Sequence, residues 1–560
     1  MTRVSPHGAA GTGQPAAPAA GAGPVDTFAR DNLPPPQQWP ELLFDLPALH
    51  YPARLNCVAE LLDSVVDSGR GARLALHSET DSWTYAELQR RVNQIAQVLR
   101  GDLGLVPGNR VLLRGANTPM MAACFLAVIK AGCIAVPTMP LLRARELGAI
   151  VDKARIDAVL CAASLRGEMD LLPRVQPPPP LLCFDAAGTD GANQGASLET
   201  LMAQHGPHYT AFDSAADDIC LIGFTSGTTG VPKGTLHFHR DLLIICDCFP
   251  RSTLDSQDGD VFIGTPPLAF TFGLGGLLLF PLRVAGSAVL LDKLTPEKLL
   301  SAIERFHATV LFTVPTFYRQ MTPQAGNYDL SSLRKSVSAG EALPQATRDD
   351  WQQATGLAMI DGIGATELLH IFISATGEQG RRGAVGKPIP GYQACILDDD
   401  GRPVGPGVIG RLAIKGPTGC RYLDDERQRD YVLDGWNLTG DAFEMDADGY
   451  FYYRARSDDM IVSAGYNIAG AEVEEALLRH PDVAECGVVG HPDLARGQVV
   501  EAHVVLKPGV VASDALALAL QDFVKAQIAP YKYPRAIVFV AALPRTETGK
   551  LQRYKLRGRT

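Results

Sequence analysis

Ile219-Cys220-Leu221-Ile222-Gly223-Phe224 runs directly into Thr225-Ser226-Gly227-Thr228-Thr229-Gly230-Val231-Pro232-Lys233-Gly234, and this passage decides how the chain is read. The first six residues are an apolar run of strand length and predict a buried strand. The next ten hold three glycines, four hydroxyls and one lysine. Glycines let backbone N–H groups close around an anion, hydroxyls donate hydrogen bonds, and lysine adds a point charge. A polar surface turn is the plainer alternative. A strand delivering such a loop favours phosphate binding instead. The pattern is not G-x-x-x-x-G-K-[ST], which requires Gly at Pro232 and a hydroxyl at Gly234.

Outward from this loop, apolar strand candidates alternate with amphipathic helices. Arg110–Arg114, Met120–Ala131 and Ile134–Pro137 form one such run, and Ser287–Leu291, Glu297–Phe306 and Thr309–Val314 another. Alternation of this kind predicts α/β architecture with largely parallel sheet. The texture changes after Asp441. Tyr450–Tyr453 reads as a short aromatic strand, Glu472–Arg479 and Asp514–Gln527 as helices, and Val483–Val489, Glu501–Leu506 and Ala536–Val540 as strands. A segment of about one hundred residues is enough for an independent domain. The expected organisation is a disordered leader over 1–30, a large N-terminal domain of α/β subdomains over 31–457, and a small mobile α+β C-terminal domain over 458–560, with the hinge near Asp458. The leader rests on the Ala, Gly and Pro of residues 1–24, which lack the apolar segment of a signal peptide.

Composition narrows the function classes. With 560 residues the chain is too long for one core, and its 46% hydrophobic and 20% charged content is that of a globular protein. A net charge of −10 argues against nucleic acid or an anionic membrane as partner. The longest uncharged stretch, Val261–Leu282, is interrupted by Pro266, Pro267, Gly273, Gly275, Gly276 and Pro281, and predicts strand–loop–helix rather than a membrane span. Eleven cysteines without C-x-x-C pairs fit the reduced, buried thiols of a cytoplasmic enzyme.

Three further clusters carry chemistry. Asp361-Gly362-Ile363-Gly364-Ala365-Thr366-Glu367 joins a glycine-rich turn to a carboxylate suited to Mg²⁺ beside a polyphosphate. Gly435-Trp436-Asn437-Leu438-Thr439-Gly440-Asp441 ends in an acid suited to a ribose diol. Pro544-Arg545-Thr546-Glu547-Thr548-Gly549-Lys550 places a lysine on a glycine-containing loop ten residues from the end. Each alone also reads as a surface acid, a turn former or a solvated tail charge.

Taken together and in this order, the clusters resemble the acyl-adenylate-forming (AMP-dependent synthetase/ligase) superfamily over residues 55–560. Tyr85-Ala86-Glu87-Leu88 looks like its early T-Y-x-E-L element. Ser338-Ala339-Gly340-Glu341-Ala342-Leu343-Pro344 resembles the adenine and acyl segment. Arg456-Ser457-Asp458-Asp459 resembles the hinge signature, and Ser463-Ala464-Gly465-Tyr466-Asn467-Ile468 the segment just after the hinge. Two positions depart from the family pattern: Ile363 stands where it has Tyr, and Ala455 where it has Gly. An aliphatic side chain therefore replaces a ring beside the adenine. The resemblance tightens to the benzoate-CoA ligase subgroup through Asp361–Phe372. It is closest to 2-aminobenzoate-CoA ligases through Leu236-His237-Phe238-His239-Arg240-Asp241, Asp31-Asn32-Leu33-Pro34-Pro35, Trp39-Pro40 and Arg54-Leu55-Asn56-Cys57.

The resemblance implies an ATP-dependent aryl-CoA ligase. It would activate 2-aminobenzoate or benzoate as the acyl-adenylate and transfer it to CoA, with Mg²⁺, in aromatic acid degradation. The alternatives are a ligase for another substituted benzoate or an enzyme loading a carrier protein. By the same resemblance, Thr225, Ser226, Gly227, Thr228, Thr229, Gly230 and Lys233 hold the β- and γ-phosphates. Gly340, Glu341, Asp361, Gly362 and Ile363 frame the rest of ATP, and Asp441 and Arg456 take the ribose. Thr366 donates near the α-phosphate, Glu367 holds Mg²⁺, and Lys550 bridges the carboxylate and the α-phosphate. Thr271, Phe272, Ala339, Gly364, His370 and Ile371 line the acyl pocket. Gly465 and Tyr466 line the CoA tunnel once the small domain has turned about Asp458. The implied partners are small molecules, with the protein a monomer or homodimer. His237-Phe238-His239 suggests metal binding, since alternating residues of a strand share a face. No third ligand is near in sequence, and a buried wall close to the acyl site is the favoured reading.

Overall fold

A computed structural model describes residues 23–172, 178–185, 197–225, 232–377, 379–456, 459, 461–463, 466–493, 496–528, 530–545 and 551–557. The fold is mixed α/β, with a large N-terminal part and a small C-terminal one.

Six strands form the first sheet, in the order Leu181–Phe184, Ala158–Ala162, Arg110–Arg114, Ile134–Thr138, Ile219–Thr225, Lys233–Phe238. All are parallel except the last pair, an antiparallel hairpin whose final register pair is Thr225 with Lys233. Arg110–Arg114 and Ala158–Ala162 are buried at every residue, as strands covered on both faces must be. In the second sheet, Met359–Gly364, Lys335–Ala339, Val310–Thr313, Val261–Gly264, Ser287–Val289 and Leu74–His77 are parallel neighbours in that order. Antiparallel strands close both edges. The helix Pro119–Lys130 is wholly buried, and its residues share one apolar core with Leu277, Phe312 and Phe372. That shared core carries the two sheets as a unit.

The Tyr85-Ala86-Glu87-Leu88 element has a structural explanation. Thr84 Oγ1 accepts from the Glu87 N–H at 3.2 Å, and Glu87 Oε2 accepts from the Thr84 N–H at 2.8 Å, a reciprocal cap at the start of the helix Tyr85–Gln97. The Tyr85 hydroxyl donates to the Gly286 carbonyl at 2.8 Å, tying that helix to the second sheet.

Two expectations are corrected. Residues 26–30, read as part of a disordered leader, are ordered. Asp26 pairs with Arg110 and accepts from the Asn109 amide at 2.9 Å, Arg30 donates to Asp218 Oδ1 at 2.7 Å, and Ala29 is buried. These ion pairs hold a segment whose composition is otherwise uninformative. The α/β alternation also stops early. Gln393–Leu397, Gly410–Lys415, Trp436–Met445, Val432–Leu433 and Phe451–Arg456 form a wholly antiparallel third sheet. Its strands join through turns and longer irregular connections, one holding the short helix Gln428–Tyr431, rather than through crossover helices, so sequence alternation could not reveal it.

In the C-terminal part, Val483–Asp493 and Gly497–Leu506 form a long antiparallel hairpin. The helix Asp514–Gln527 then crosses over to Ala536–Phe539, which lies parallel to Gly497–Leu506. Val473, Leu477, Val488, Val504, Leu520 and Val524 fill a separate core. The uncharged stretch from Val261 holds the strand Val261–Gly264 and the short helices Thr271–Leu274 and Phe280–Arg283. Among the described residues no helix is long and apolar enough to cross a membrane.

Candidate active site

The glycine-rich loop closes a β-hairpin rather than opening a helix, and Thr225 and Lys233 sit opposite each other at its base. Ser226, Gly227, Thr228, Thr229 and Gly230 lie outside the described residues, as do Asp458, Gly465 and Lys550. Tyr466 opens the short strand Tyr466–Ile468.

Two other segments converge on the hairpin. The tight turn Thr366–Leu368 packs on the strand Ile219–Thr225, and a Cβ at Gly223 would stand 2.9 Å from the Thr366 methyl. The missing side chain at Gly223 is what lets Thr366 reach the hairpin. The segment 420–423 runs along the free edge of Lys233–Phe238. Leu236 N–H donates to the Arg421 carbonyl and Leu423 N–H to the Gly234 carbonyl, both at 2.8 Å. Arg421 and Asp241 form an ion pair with no solvent exposure, and the guanidinium stacks 4.1 Å from the Phe238 ring. The Tyr422 hydroxyl donates to Glu367 Oε1 at 2.6 Å, and Lys233 Nζ lies 4.9 Å from the centre of the Tyr422 ring. Sequence reasoning missed Arg421 and Tyr422, which belong to no glycine-rich or acidic motif.

Asp441 and Arg456 are register partners in the third sheet, and Arg456 Nη1 donates to Asp441 Oδ1 at 3.1 Å. Gly440, at φ +74, accommodates this: a Cβ there would meet Arg456 Nη2 at 2.8 Å. Arg456 thus orients Asp441, the group suited to a ribose. Tyr431 is buried, and its ring meets that of Tyr422 edge to face at 5.7 Å. Burial and the charges of Glu367 and Asp441 push its phenol up.

In the second sheet, Ala339 pairs with Gly362, so the Gly340-Glu341 turn and the Asp361–Glu367 segment leave adjacent strands at the same end. Glu341 accepts from Thr316 Oγ1 at 2.8 Å, and Arg545 of the C-terminal part lies 3.7 Å from its other oxygen. Arg545 bridges to Leu551 across the segment that carries Lys550. Asp361 lies 3.5 Å from Arg348, and burial pushes its carboxyl up to about 6.

Of the residues expected to line the acyl pocket, Phe272 meets His370, and Ile371 opens the strand Ile371–Ser374 directly after it. Phe249, Phe272, Phe280 and Phe312 ring His370 at centroid distances of 5.7, 5.8, 4.6 and 6.5 Å. Burial pushes the His370 imidazole down to about 3 against a backbone contact at Phe272, and among the described residues no side chain hydrogen-bonds either ring nitrogen. A Cβ on Gly275 would lie 2.5 Å from His370 Cδ2, so glycine at that position is what lets the ring stand upright in the box. Gly364 pairs with Ile371 beside a register shift that re-aims the turn. Thr271 opens the helix Thr271–Leu274. Of the box, Phe249, Phe280 and Phe312 carried no sequence signal, being ordinary core residues of helix and strand.

His237 and His239 do not share a face, because the strand ends at Phe238 and a helix begins at His239. His237 lies buried under Thr366, and burial with the Arg421 charge pushes it down to about 3. His239 meets Cys57 and Cys220, a buried trio with ligand atoms within 4.8 Å of one another. Its Nδ1 already accepts the Cys57 N–H at 3.2 Å, which caps the helix that begins there. The trio therefore serves packing, and of the three histidines it is His370 that the phenylalanines enclose.

Comparison with known proteins agrees with this geometry. Residues 65–421 match the family model described as AMP-binding enzyme, and residues 472–550 match the AMP-binding enzyme C-terminal domain. Benzoate–CoA ligase of Thauera aromatica is 36% identical over 518 residues, covering 91% of this chain and 97% of the relative. Among solved structures, the anthranilate CoA ligase AuaEII in complex with anthranoyl-AMP superposes with a TM-score of 0.86 at 34% identity, covering 91% of this chain and 98% of that one. A benzoate CoA ligase from Burkholderia xenovorans LB400 superposes at 0.82 with 32% identity, covering 90% and 100%.

Proposed function

The chain belongs to the AMP-binding enzyme family and is an AMP-forming acid–thiol ligase, and on that premise we propose that it is an aryl-CoA ligase acting on 2-aminobenzoate. The observation that carries the substrate is the aromatic box around His370. A site walled by phenylalanines would take one flat ring and exclude a long acyl chain. A neutral imidazole offers one N–H donor and one acceptor nitrogen. With no side chain among the described residues on either nitrogen and one backbone contact at Phe272, His370 keeps polar capacity that suits a ring bearing a hydrogen-bonding substituent better than bare benzoate.

The reaction runs in two steps. A carboxylate oxygen of the acid attacks the α-phosphorus of ATP, the bond to the α–β bridging oxygen breaks, and pyrophosphate leaves. The CoA sulfur then attacks the acyl carbonyl, its proton is lost, and AMP leaves with the electron pair of the C–O bond. In this reading the hairpin from Thr225 to Lys233 grips the departing pyrophosphate, Asp441 held by Arg456 takes the ribose, and Thr366 donates beside the α-phosphate. Lys550 stabilises the charge that gathers on the α-phosphate as the bond breaks. Glu367 fits a divalent cation. It is a buried carboxylate whose partner among the described residues is a neutral phenol rather than a competing cation. Held there by Glu367, Mg²⁺ would offset charge on the phosphate oxygens. Turning of the C-terminal domain about Asp458 withdraws Lys550 and brings Gly465 and Tyr466 to the CoA path. Eleven unpaired cysteines fit work in the reducing cytoplasm.

The test is pyrophosphate release with free CoA across benzoate, 2-aminobenzoate, the hydroxybenzoates and octanoate, with the thioester identified by mass. The expected order places 2-aminobenzoate first in kcat/KM and octanoate at background. Preference for another benzoate overturns the substrate, octanoate turnover overturns the aryl pocket, and pyrophosphate release without a CoA thioester points to carrier-protein loading.

A further inference from the structure

A metal-binding carboxylate works only when something holds it in place, and the choice of holder matters. An arginine or lysine would fix Glu367 but bring a positive charge to the place where a cation must bind. A phenol fixes it without charge. Tyr422 meets these terms. Its hydroxyl donates to Glu367 Oε1 at 2.6 Å and is the only hydrogen-bond partner of that carboxylate among the described residues.

Tyr422 is itself firmly mounted. Its backbone N–H donates to Gln428 Oε1 at 2.9 Å, and its backbone bridges to Thr235 of the hairpin. Its ring meets Tyr431 edge to face at 5.7 Å. The other face of the arrangement is Lys233, whose ammonium lies 4.9 Å from the ring centre, within cation–π range. One side chain therefore touches the carboxylate of the Thr366–Leu368 turn and the lysine at the base of the glycine-rich hairpin. These two groups are 134 positions apart in sequence (367 − 233).

We propose that Tyr422 is a positioning residue that fixes Glu367 for a divalent cation and sets it in register with Lys233, so that the metal and the phosphate grip form as one unit. The inference rests on the reading of Glu367 as the metal-holding acid. It assigns the bound segment 420–423 a task beyond covering a sheet edge: it delivers one hydroxyl to one carboxylate.

The experiment measures Mn²⁺ binding to the full chain with ATP present, by electron paramagnetic resonance of free Mn²⁺, and ATP binding in chelator by calorimetry. Tyr422→Phe keeps the ring and removes only the hydroxyl. The expected result is unchanged ATP affinity in chelator, an unchanged unfolding midpoint, and Mn²⁺ affinity weakened about 10–100-fold, the usual effect of removing a partner that orients a metal ligand. Adenylate formation should return toward the parent rate at saturating Mn²⁺. Glu367→Gln is the companion variant and should lose the Mn²⁺ site outright. If Glu367→Gln loses Mn²⁺ while Tyr422→Phe binds it as the parent does, the Tyr422 role is overturned and the Glu367 reading stands. If Glu367→Gln binds Mn²⁺ normally, that reading falls and the inference with it. If Tyr422→Phe weakens ATP equally with and without metal, Tyr422 is a packing residue and the proposal is overturned.

Discussion

On the phosphate side of the site, four buried carboxylates each face a named partner: Glu367 with Tyr422, Asp241 with Arg421, Asp441 with Arg456 and Asp361 with Arg348. On the side proposed for the acid, buried His370 meets four phenylalanine rings, Gly275 and the Phe272 backbone, and burial pushes its imidazole down. In the proposed reading, the contrast reflects the ligand each side would bind. Polyphosphate would be the same in every turnover, so groups held in advance by fixed partners suit it. The acid is what distinguishes one ligase from another, and an apolar box with one polar ring would discriminate by the match of the ring it receives.

The largest test of the paired side is Asp241→Ala. It leaves Arg421 buried without its anion, and unfolding in denaturant is expected to show a loss of about 3–5 kcal/mol. A loss under about 1 kcal/mol, the size of an exposed pair, would mean that this pair does not hold the hairpin to the segment 420–423. Lys550→Ala comes next. Pyrophosphate release is expected to fall about 10²–10³-fold, while thioester formation from supplied aryl-adenylate persists. Equal losses in both half-reactions would refute the domain rotation. For the unpaired side, His370→Phe is expected to lower kcat/KM for 2-aminobenzoate relative to benzoate by about 1–3 kcal/mol of transition-state stabilisation. A variant with the parent's order of preference would remove His370 from substrate selection.

The smallest effect is in pH. Burial pushes His370 and His237 down to about 3, whereas an unfolded histidine titrates near about 6.5. Between those values the unfolded chain takes up protons that the folded chain refuses, so stability falls as pH drops below about 6.5. Asp361, pushed up to about 6, works in the opposite sense: it takes up a proton in the folded state first and gains stability as pH falls from 6 toward about 4. The histidine part is isolated by His370→Phe. Its unfolding free energy should fall less steeply than the parent's between about pH 6 and 4, by up to ~1.4 kcal/mol per pH unit, one proton's worth. Identical slopes would show that His370 is not buried as a neutral base.

Much of the fold was legible where the signal is local. The strand Arg110–Arg114 and the helix Asp514–Gln527 have the bounds that periodicity and capping residues suggest. Ser513 Oγ accepting from Leu516 N–H explains the second. Of the antiparallel third sheet only the aromatic strand at Tyr450–Tyr453 was legible, because irregular connections without helical periodicity link its strands. Nor were the phenylalanines around His370, which look like any other core residues until the sheets bring them together. The same holds for Tyr422: nothing in Arg421-Tyr422-Leu423 indicates that its hydroxyl meets an acid fifty-five positions earlier.

By itself, the sequence determined the chemistry of the loops. Glycine, hydroxyl and lysine in one stretch, and acids at the ends of two others, limit what those segments can bind whatever their surroundings, since that capacity resides in the side chains. Only the tertiary structure decided which groups hold one another. Partnership between Glu367 and Tyr422, or the enclosure of His370 by four rings, depends on packing between distant segments, and packing is a property of the whole fold.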